Sequence, residues 1–408
     1  MTSQDPNPAS APATEQNTGN GAEPARQDPD RRTPCPWLAP AEQPLSEAFD
    51  LALLDLDGVV YLGPQAVDGA VPALGAAKDA GMRLAYVTNN AARPPQVVAD
   101  HLRELGIPAE PSEVVTSAQV AASLLARRLP AGAGVLVVGG QGLRQALREE
   151  GLEPVEALSD GPQAVVQGFS PDLGWLQLAE GADAVRSGLF WMATNLDMTV
   201  PRATGPAPGN GTLVAAVRTA AGREPDQVAG KPDPAPFVET VRRLGSERPL
   251  VVGDRLDTDL EGARAARIPG LLVLTGVSGV PDLLTCPEHR RPTFLGADLS
   301  ALAVPHPATT VRTRPEDEAP AGPDSPSGGV EATCREAQVV VGTCAGGTVR
   351  AEVVRPGEDA LDLLRAACSA VWAWNDSART ASRSRRRVDT SEISTVLERQ
   401  TQGAPWSR

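Results

Sequence analysis

Residues 51–63 read LALLDLDGVVYLG. Leu51–Leu54 is an apolar run of strand length, and Asp55 stands at its end. Asp57 follows two residues later, so both carboxylates can face one side of an extended chain. Gly58 lets the backbone turn sharply away. One carboxylate in such a pair can attack as a nucleophile. The other can protonate a leaving oxygen and then activate water. Alone the string is ambiguous, because Asp-Gly is also a common turn.

Three further strings place polar residues at the ends of apolar runs. In LAYVTNN, residues 84–90, a strand leads to Thr88, Asn89 and Asn90. A hydroxyl followed by free amides suits an anionic oxygen, although a threonine there can also simply cap a loop. In VAGKPDP, residues 228–234, Lys231 stands out because the chain holds 37 Lys plus Arg but only one other lysine, Lys78. Its ammonium can neutralise an anion and keep nearby carboxylates ionised. In PLVVGDRLDTDLEGA, residues 249–263, Asp254 ends another apolar run, with Asp257 and Asp259 close behind. Clustered carboxylates suit a hard cation such as magnesium; an acidic helix start is the alternative.

Working outward, short apolar runs alternate with helical patterns over residues 46–305. Strands are predicted at Leu51–Leu54, Leu84–Val87, Val135–Val138, Ala164–Val166, Leu250–Val252 and Leu271–Leu274. Helices are predicted at Val71–Ala80, Pro95–Leu105 and Leu213–Ala221. That alternation implies an α/β fold with a parallel, Rossmann-like sheet, whose ligands sit at the carboxyl ends of its strands. Residues 1–45, rich in Pro, Ala, Asn and Gln, read as disordered, as does a linker over 306–330. A small α+β unit is expected over 331–375, a hairpin around Gly346-Gly347 packed by one helix. It is too short to stand alone, so it should dock on the body. A basic tail with Arg383, Arg385, Arg386 and Arg387 follows over 376–408.

The four strings, in this order, resemble the motifs of the haloacid dehalogenase (HAD) superfamily of phosphotransferases. The resemblance implies Asp55 as nucleophile and magnesium ligand, and Asp57 as general acid and base, ligating the metal through its backbone carbonyl. Thr88, Asn89 and Lys231 would bind the phosphoryl group. Asp254 would be the third metal ligand, with Asp259 and Gly58 in support. Only 30 residues separate Asp57 from Thr88, whereas 142 separate Thr88 from Lys231. This resembles the branch with an α/β cap inserted between the second and third motifs, the group of nucleotide, glycerol-phosphate and phosphoglycolate phosphatases. The cap is expected over 116–204, with core over 46–115 and 205–305. FWMATNLDMTVPRATGPAPGNGTLVAAV, residues 190–217, also looks like this branch. The C-terminal unit resembles the acetyltransferase-like appendage of some actinobacterial glycerol-phosphate phosphatases. It lacks the Gly-rich loop before a helix that acetyl transfer needs, so a structural or interaction role is expected.

Other features narrow the reading. A net charge of −14 opposes nucleic-acid binding. Five scattered cysteines signal neither a disulfide framework nor a zinc site. No apolar run reaches a membrane-spanning length, and no signal peptide opens the chain, so a cytoplasmic location is expected. In VLVVGGQGLRQAL, residues 135–147, Gln145 takes the place of the third glycine of a dinucleotide fingerprint. The partner expected is a small phosphate ester, with no nucleic acid or membrane; a homo-oligomer is compatible. The cap's large aromatics are few, Phe169, Trp175, Phe190 and Trp191, and the last three are assigned to core packing, which favours a polyol phosphate such as glycerol 3-phosphate, recognised by loops including Gln167–Asp172. A nucleotide monophosphate or phosphoglycolate phosphatase, a bifunctional phosphatase–acetyltransferase and a non-catalytic regulatory protein are the alternatives.

Overall fold

A computed structural model of the chain describes residues 33–34, 37–200, 205–315, 325–380 and 387–401. Its centre is a six-stranded sheet, parallel throughout. The spatial order is Phe294–Gly296, Gly270–Val273, Pro249–Gly253, Leu51–Leu54, Arg83–Thr88 and Val114–Thr116. Both faces are buried, which is why its strands read as unbroken apolar runs. Leu51, Leu53, Ala85, Val87 and Val251 pack on Phe237 and Ala263 on one face. Ala52, Leu54, Leu84, Tyr86 and Val252 pack on Leu74 and Leu102 on the other. The order reverses between Leu51–Leu54 and Pro249–Gly253, and ligands bind at such a switch point. Asp55 and Asp254 end these two neighbouring strands. Val114–Thr116 and Phe294–Gly296 were not foreseen; at three residues each they are too short to show a period.

The inserted cap has its own parallel sheet, ordered Gln227–Val228, Phe190–Ala193, Ala164–Gln167, Gly134–Val138 and Glu153–Val155. Its boundary differs from the expected end at 204. Helix Asn210–Ala221 packs Val214 and Val217 against Leu136, Val165 and Trp191 of the cap, and Gln227–Val228 extends the cap sheet. The chain therefore returns to the core only after residue 228. One glycine of VLVVGGQGLRQAL, Gly142, serves a close approach between the two domains. A Cβ on Gly142 would lie 2.8 Å from the Ala91 carbonyl oxygen and 2.9 Å from that of Ala92.

The C-terminal unit is larger than predicted. Its sheet runs Thr33–Pro34, Thr309–Arg314, Ser327–Cys334, Ala337–Thr343, Val349–Arg355 and Val388–Asp389, antiparallel except for the last pair. Three corrections follow. Residues 37–45 are packed, with Leu38 and Leu45 buried in the core; the rest of the expected N-terminal disorder lies outside the described residues, apart from the strand Thr33–Pro34. The expected linker holds the strand Thr309–Arg314 and the first half of Ser327–Cys334, with Val311 packed against the same core as Leu363. The expected basic tail forms a strand and the helix Ser391–Gln400, which buries Ile393 and Leu397. Arg383, Arg385 and Arg386 lie outside the described residues.

The unit docks on the body, as its apolar stripe required. Leu363, Leu364, Ala367, Cys368 and Val371 of helix Ala360–Thr380 share one core with Leu256, Leu260, Leu274, Val280 and Leu283 of the body. Trp372 donates Nε1–H to the Leu283 carbonyl at 3.1 Å. Arg365 donates to the Leu295 carbonyl at 2.7 Å. Arg291 forms a two-pronged pair with Asp376 at 2.6 and 2.9 Å. No helix among the described residues is long and apolar enough to cross a membrane.

Candidate active site

Strand geometry brings the predicted residues together. Lys231, on the loop entering the core from the cap, is buried. Its Nζ pairs with Asp55 Oδ1, lies 2.7 Å from Asp259 Oδ1 and donates to the Val87 carbonyl at 3.2 Å. Carboxylate oxygens of Asp55, Asp254 and Asp259 all lie within 4.8 Å of one another. Asp254 and Asp259 are fully buried. One oxygen of Asp254 accepts the Val277 N–H at 2.6 Å, while the other, Oδ1, is buried without a hydrogen-bond partner. Gly58 adopts φ +91°, and a Cβ there would lie 2.7 Å from Asp254 Oδ2. Only glycine both turns there and leaves the carboxylate room.

Three carboxylates against one ammonium set the electrostatics. Burial, joined by Asp259 and Asp55, pushes the Asp254 carboxyl up to about 8. Burial raises Asp259 to about 6, with Lys231 pulling the other way. Asp55 is raised because burial outweighs the attraction of Lys231. Burial disfavours the Lys231 ammonium, but Asp259 and Asp55 overcome this and hold it protonated. An excess of negative charge around an unpartnered buried oxygen fits a divalent cation held by Asp254 and Asp55.

Asp57 stands apart from this cluster. Its side chain is exposed at the cleft, yet the surrounding walls raise its carboxyl by lost solvation, against the pull of Arg93, Lys231 and His101. A carboxyl so raised is suited to carrying a proton. Thr88 is buried beside the cluster, its Oγ1 accepting the Asn90 N–H at 3.1 Å.

The side chain of Asn89 is spent on protein contacts rather than left for an anion. Its Oδ1 accepts the Lys231 N–H at 2.8 Å, and its Nδ2 donates to the Lys231 carbonyl at 3.2 Å and to Asp197 at 3.1 Å. Its carbonyl accepts from Asn195 at 2.7 Å and from Ser117 at 2.6 Å. Asn89 thus ties the Thr88 loop, the Lys231 loop and the cap into one unit. Asp197 and Asn195 lie in the TNLD segment, which was noted in the sequence without a role for either. Ser278 was missed altogether. It donates its N–H to the Asp254 carbonyl at 3.1 Å and accepts the Leu256 N–H at 3.0 Å, bracing the loop of Asp254. Nothing in SGVPDLL, residues 278–284, marks that task.

Two cap expectations need correcting. Trp175 does not pack in the core but is 77% exposed, beside Leu176 at 76%. It opens helix Trp175–Arg186, whose buried face begins only at Gly181. Gln167 ends a strand and is fully buried, so the loop available to a ligand begins at Gly168.

Two parallel α/β domains, with acidic strand ends facing a buried lysine, define a hydrolase of the HAD type. The chain belongs to the haloacid dehalogenase-like hydrolases: residues 52–153 match the haloacid dehalogenase-like hydrolase model and residues 228–302 a HAD-hydrolase-like model. A D-glycerol 3-phosphate phosphatase of Mycobacterium tuberculosis is 44% identical over 328 residues, 80% of this chain and 87% of its own length. An acid sugar phosphatase of Staphylococcus aureus is 36% identical over 250 residues, 61% of this chain and 94% of its own. The crystal structure of a glycerol phosphate phosphatase from Mycobacterium tuberculosis with magnesium superposes with a TM-score of 0.71. It is 40% identical and covers 88% of this chain and 99% of its own. A 4-nitrophenylphosphatase from Thermotoga maritima, TM-score 0.59 and 30% identical, covers 64% of this chain and 98% of its own. The chain is accordingly a phosphatase of this family.

Proposed function

We propose that this chain is a magnesium-dependent phosphomonoesterase that hydrolyses glycerol 3-phosphate, or a similarly small polyol phosphate, through a phospho-aspartate on Asp55. The observation that carries the reading is Asp55 at the switch point, paired with Lys231 and within reach of the partnerless oxygen of Asp254. Similarity to glycerol phosphate phosphatases across both the body and the C-terminal unit supports the substrate.

Each residue then has a task. Lys231 and Thr88 hold the phosphoryl oxygens beside Asp55. The Asp55 carboxylate attacks phosphorus, and Asp57 gives its proton to the departing alkoxide. Asp57 then takes a proton from water as that water attacks the phospho-aspartate, releasing phosphate and restoring Asp55. Magnesium, held by Asp55, Asp254 and the Asp57 carbonyl, would supply charge neutralisation between carboxylate and phosphate. Asp259 and Asn89 position Lys231, and Gly58 leaves room for Asp254. We read the enzyme as cytoplasmic, with a small phosphate ester and no nucleic acid as its partner, and the C-terminal unit as a brace that does not transfer acetyl groups. Gly346 and Gly347 lie in a hairpin turn closed by the Cys344 N–H to Thr348 carbonyl bond, which supports this. The test is phosphate release from glycerol 3-phosphate, phosphoglycolate, UMP and a sugar phosphate on one preparation. A nucleotide preferred by more than about tenfold in kcat/KM, about 1.4 kcal/mol, would overturn the substrate.

A further inference from the structure

At the amino end of the central sheet, away from Asp55, the molecule has a second cavity of about 430 Å³. Its walls are Leu260, Ile268, Pro269 and Gly270, with Arg264, Arg267 and Arg291 among them, and no acidic side chain lines it. In a chain of net charge −14 an acid-free pocket holding three guanidiniums is unexpected.

The three arginines differ in what they have left to offer. Arg291 is buried and gives both terminal nitrogens to Asp376, but its Nε is buried without a partner. Arg264 stacks on the Trp37 ring at 4.4 Å and has only a 3.6 Å pair with Glu288. Arg267 is exposed and has no ion-pair partner among the described residues. Arg267 also holds φ +60° where helix Glu261–Ala266 ends, a conformation suited to glycine. A glycine there would end the helix without strain, so Arg267→Gly removes the guanidinium without disturbing the fold.

We propose that this cavity is a second binding site, for a small metabolite bearing phosphate groups. Guanidiniums recognise phosphate through paired N–H donors. The volume falls within the range of small-molecule sites and exceeds what a bare ion needs. Leu260, Ala263 and Ile268 give an apolar part of the ligand a surface to cover. The site is distinct from the catalytic cleft, and its arginines are held from outside it, Arg264 by the Trp37 ring and Arg291 by Asp376 of the C-terminal unit. Leu260 also ends the turn Leu256–Leu260 that carries Asp259, so an occupant would press on the back of the catalytic loop.

The test is isothermal titration calorimetry of the full chain with inorganic pyrophosphate in EDTA, which keeps metal out of the catalytic cleft. One-site binding is expected. Arg267→Gly should weaken it at least about tenfold while raising the melting temperature and leaving phosphatase turnover unchanged. Arg267→Lys should recover only part of that loss, since the charge stays but the paired N–H donors go. No heat at millimolar pyrophosphate, or equal affinity in Arg267→Gly, would overturn the proposal.

Discussion

The two six-stranded sheets of this molecule were assembled in opposite ways. In the parallel sheet each strand is delivered by a neighbouring βα unit and is buried on both faces. In the C-terminal sheet the edge strands come from Thr33–Pro34 and Val388–Asp389, at opposite ends of the chain, and helix Ala360–Thr380 covers a buried face. The first sheet concentrates charge at its carboxyl ends. The second packs behind the loop that holds Asp254, in a core that includes Leu256 and Leu274. Chemistry and support are thus separated, one sheet to each.

The largest effect should come from the first sheet. Asp55→Asn keeps the shape of the side chain and removes the nucleophile's charge. Turnover should fall by about 10⁴-fold or more, in the range seen when a catalytic nucleophile is removed. The melting temperature of the metal-free protein should hold or rise, because one charge leaves a crowded acidic cluster. Phosphate release at a normal rate from folded Asp55→Asn would end the mechanism.

The second sheet is probed by Trp372→Ala. Trp372 is among the largest buried side chains and bonds the Leu283 carbonyl across the interface. Loss of a buried tryptophan costs about 3–5 kcal/mol, readable by urea unfolding. The folded fraction should keep its turnover within about threefold, less than 1 kcal/mol of barrier. A turnover that collapses while the fold persists would mean that support and chemistry are not separable.

The same contrast explains what was legible in the sequence. Leu51–Leu54, Arg83–Thr88 and Pro249–Gly253 are apolar runs that end in polar chemistry, which draws out Asp55, Thr88 and Asp254; Lys231 stands out by the scarcity of lysine, and the resemblance to the HAD motifs joins the four. Asp197 and Ser278 act through loops that cross from one element to another, and no local pattern marks such contacts. Val311 and Val330 sit in strands interleaved with Arg, Thr and Gly, where composition resembles a linker until the partner strand is known. Trp175 reads as a core residue by its size, whereas the first turn of its helix faces outward.

The junction between cap and core gives a smaller, sharper test. Gly142 approaches the carbonyls of Ala91 and Ala92 so closely that a methyl group must push the cap away from the loop holding Asn89. Gly142→Ala should therefore cost about 1–3 kcal/mol by overpacking. The displacement acts on cap closure over the leaving group, so KM for glycerol 3-phosphate should rise more than for a small artificial ester with few cap contacts. Equal changes for both substrates would place the strain elsewhere.

The smallest effect concerns protons at the metal site. Asp254 is pushed up to about 8 in the metal-free protein, above the usual carboxylate range of about 4. It therefore carries a proton below pH 8, and a cation must displace that proton to bind. The sign follows directly: magnesium affinity rises with pH up to about 8 and levels off above it. Below 8, each unit of acidification should weaken binding by up to about tenfold, or 1.4 kcal/mol, while one proton competes. Near pH 6 a second proton, on Asp259, adds to the slope. Titrating magnesium against the full chain by calorimetry from pH 6 to 9, in buffers of different ionisation enthalpy, measures both the affinity and the protons released. About one proton released per ion near pH 7 is expected. An affinity flat from pH 6 to 9, with no proton released, would show that Asp254 is already ionised and that the acidic cluster is balanced without the cation.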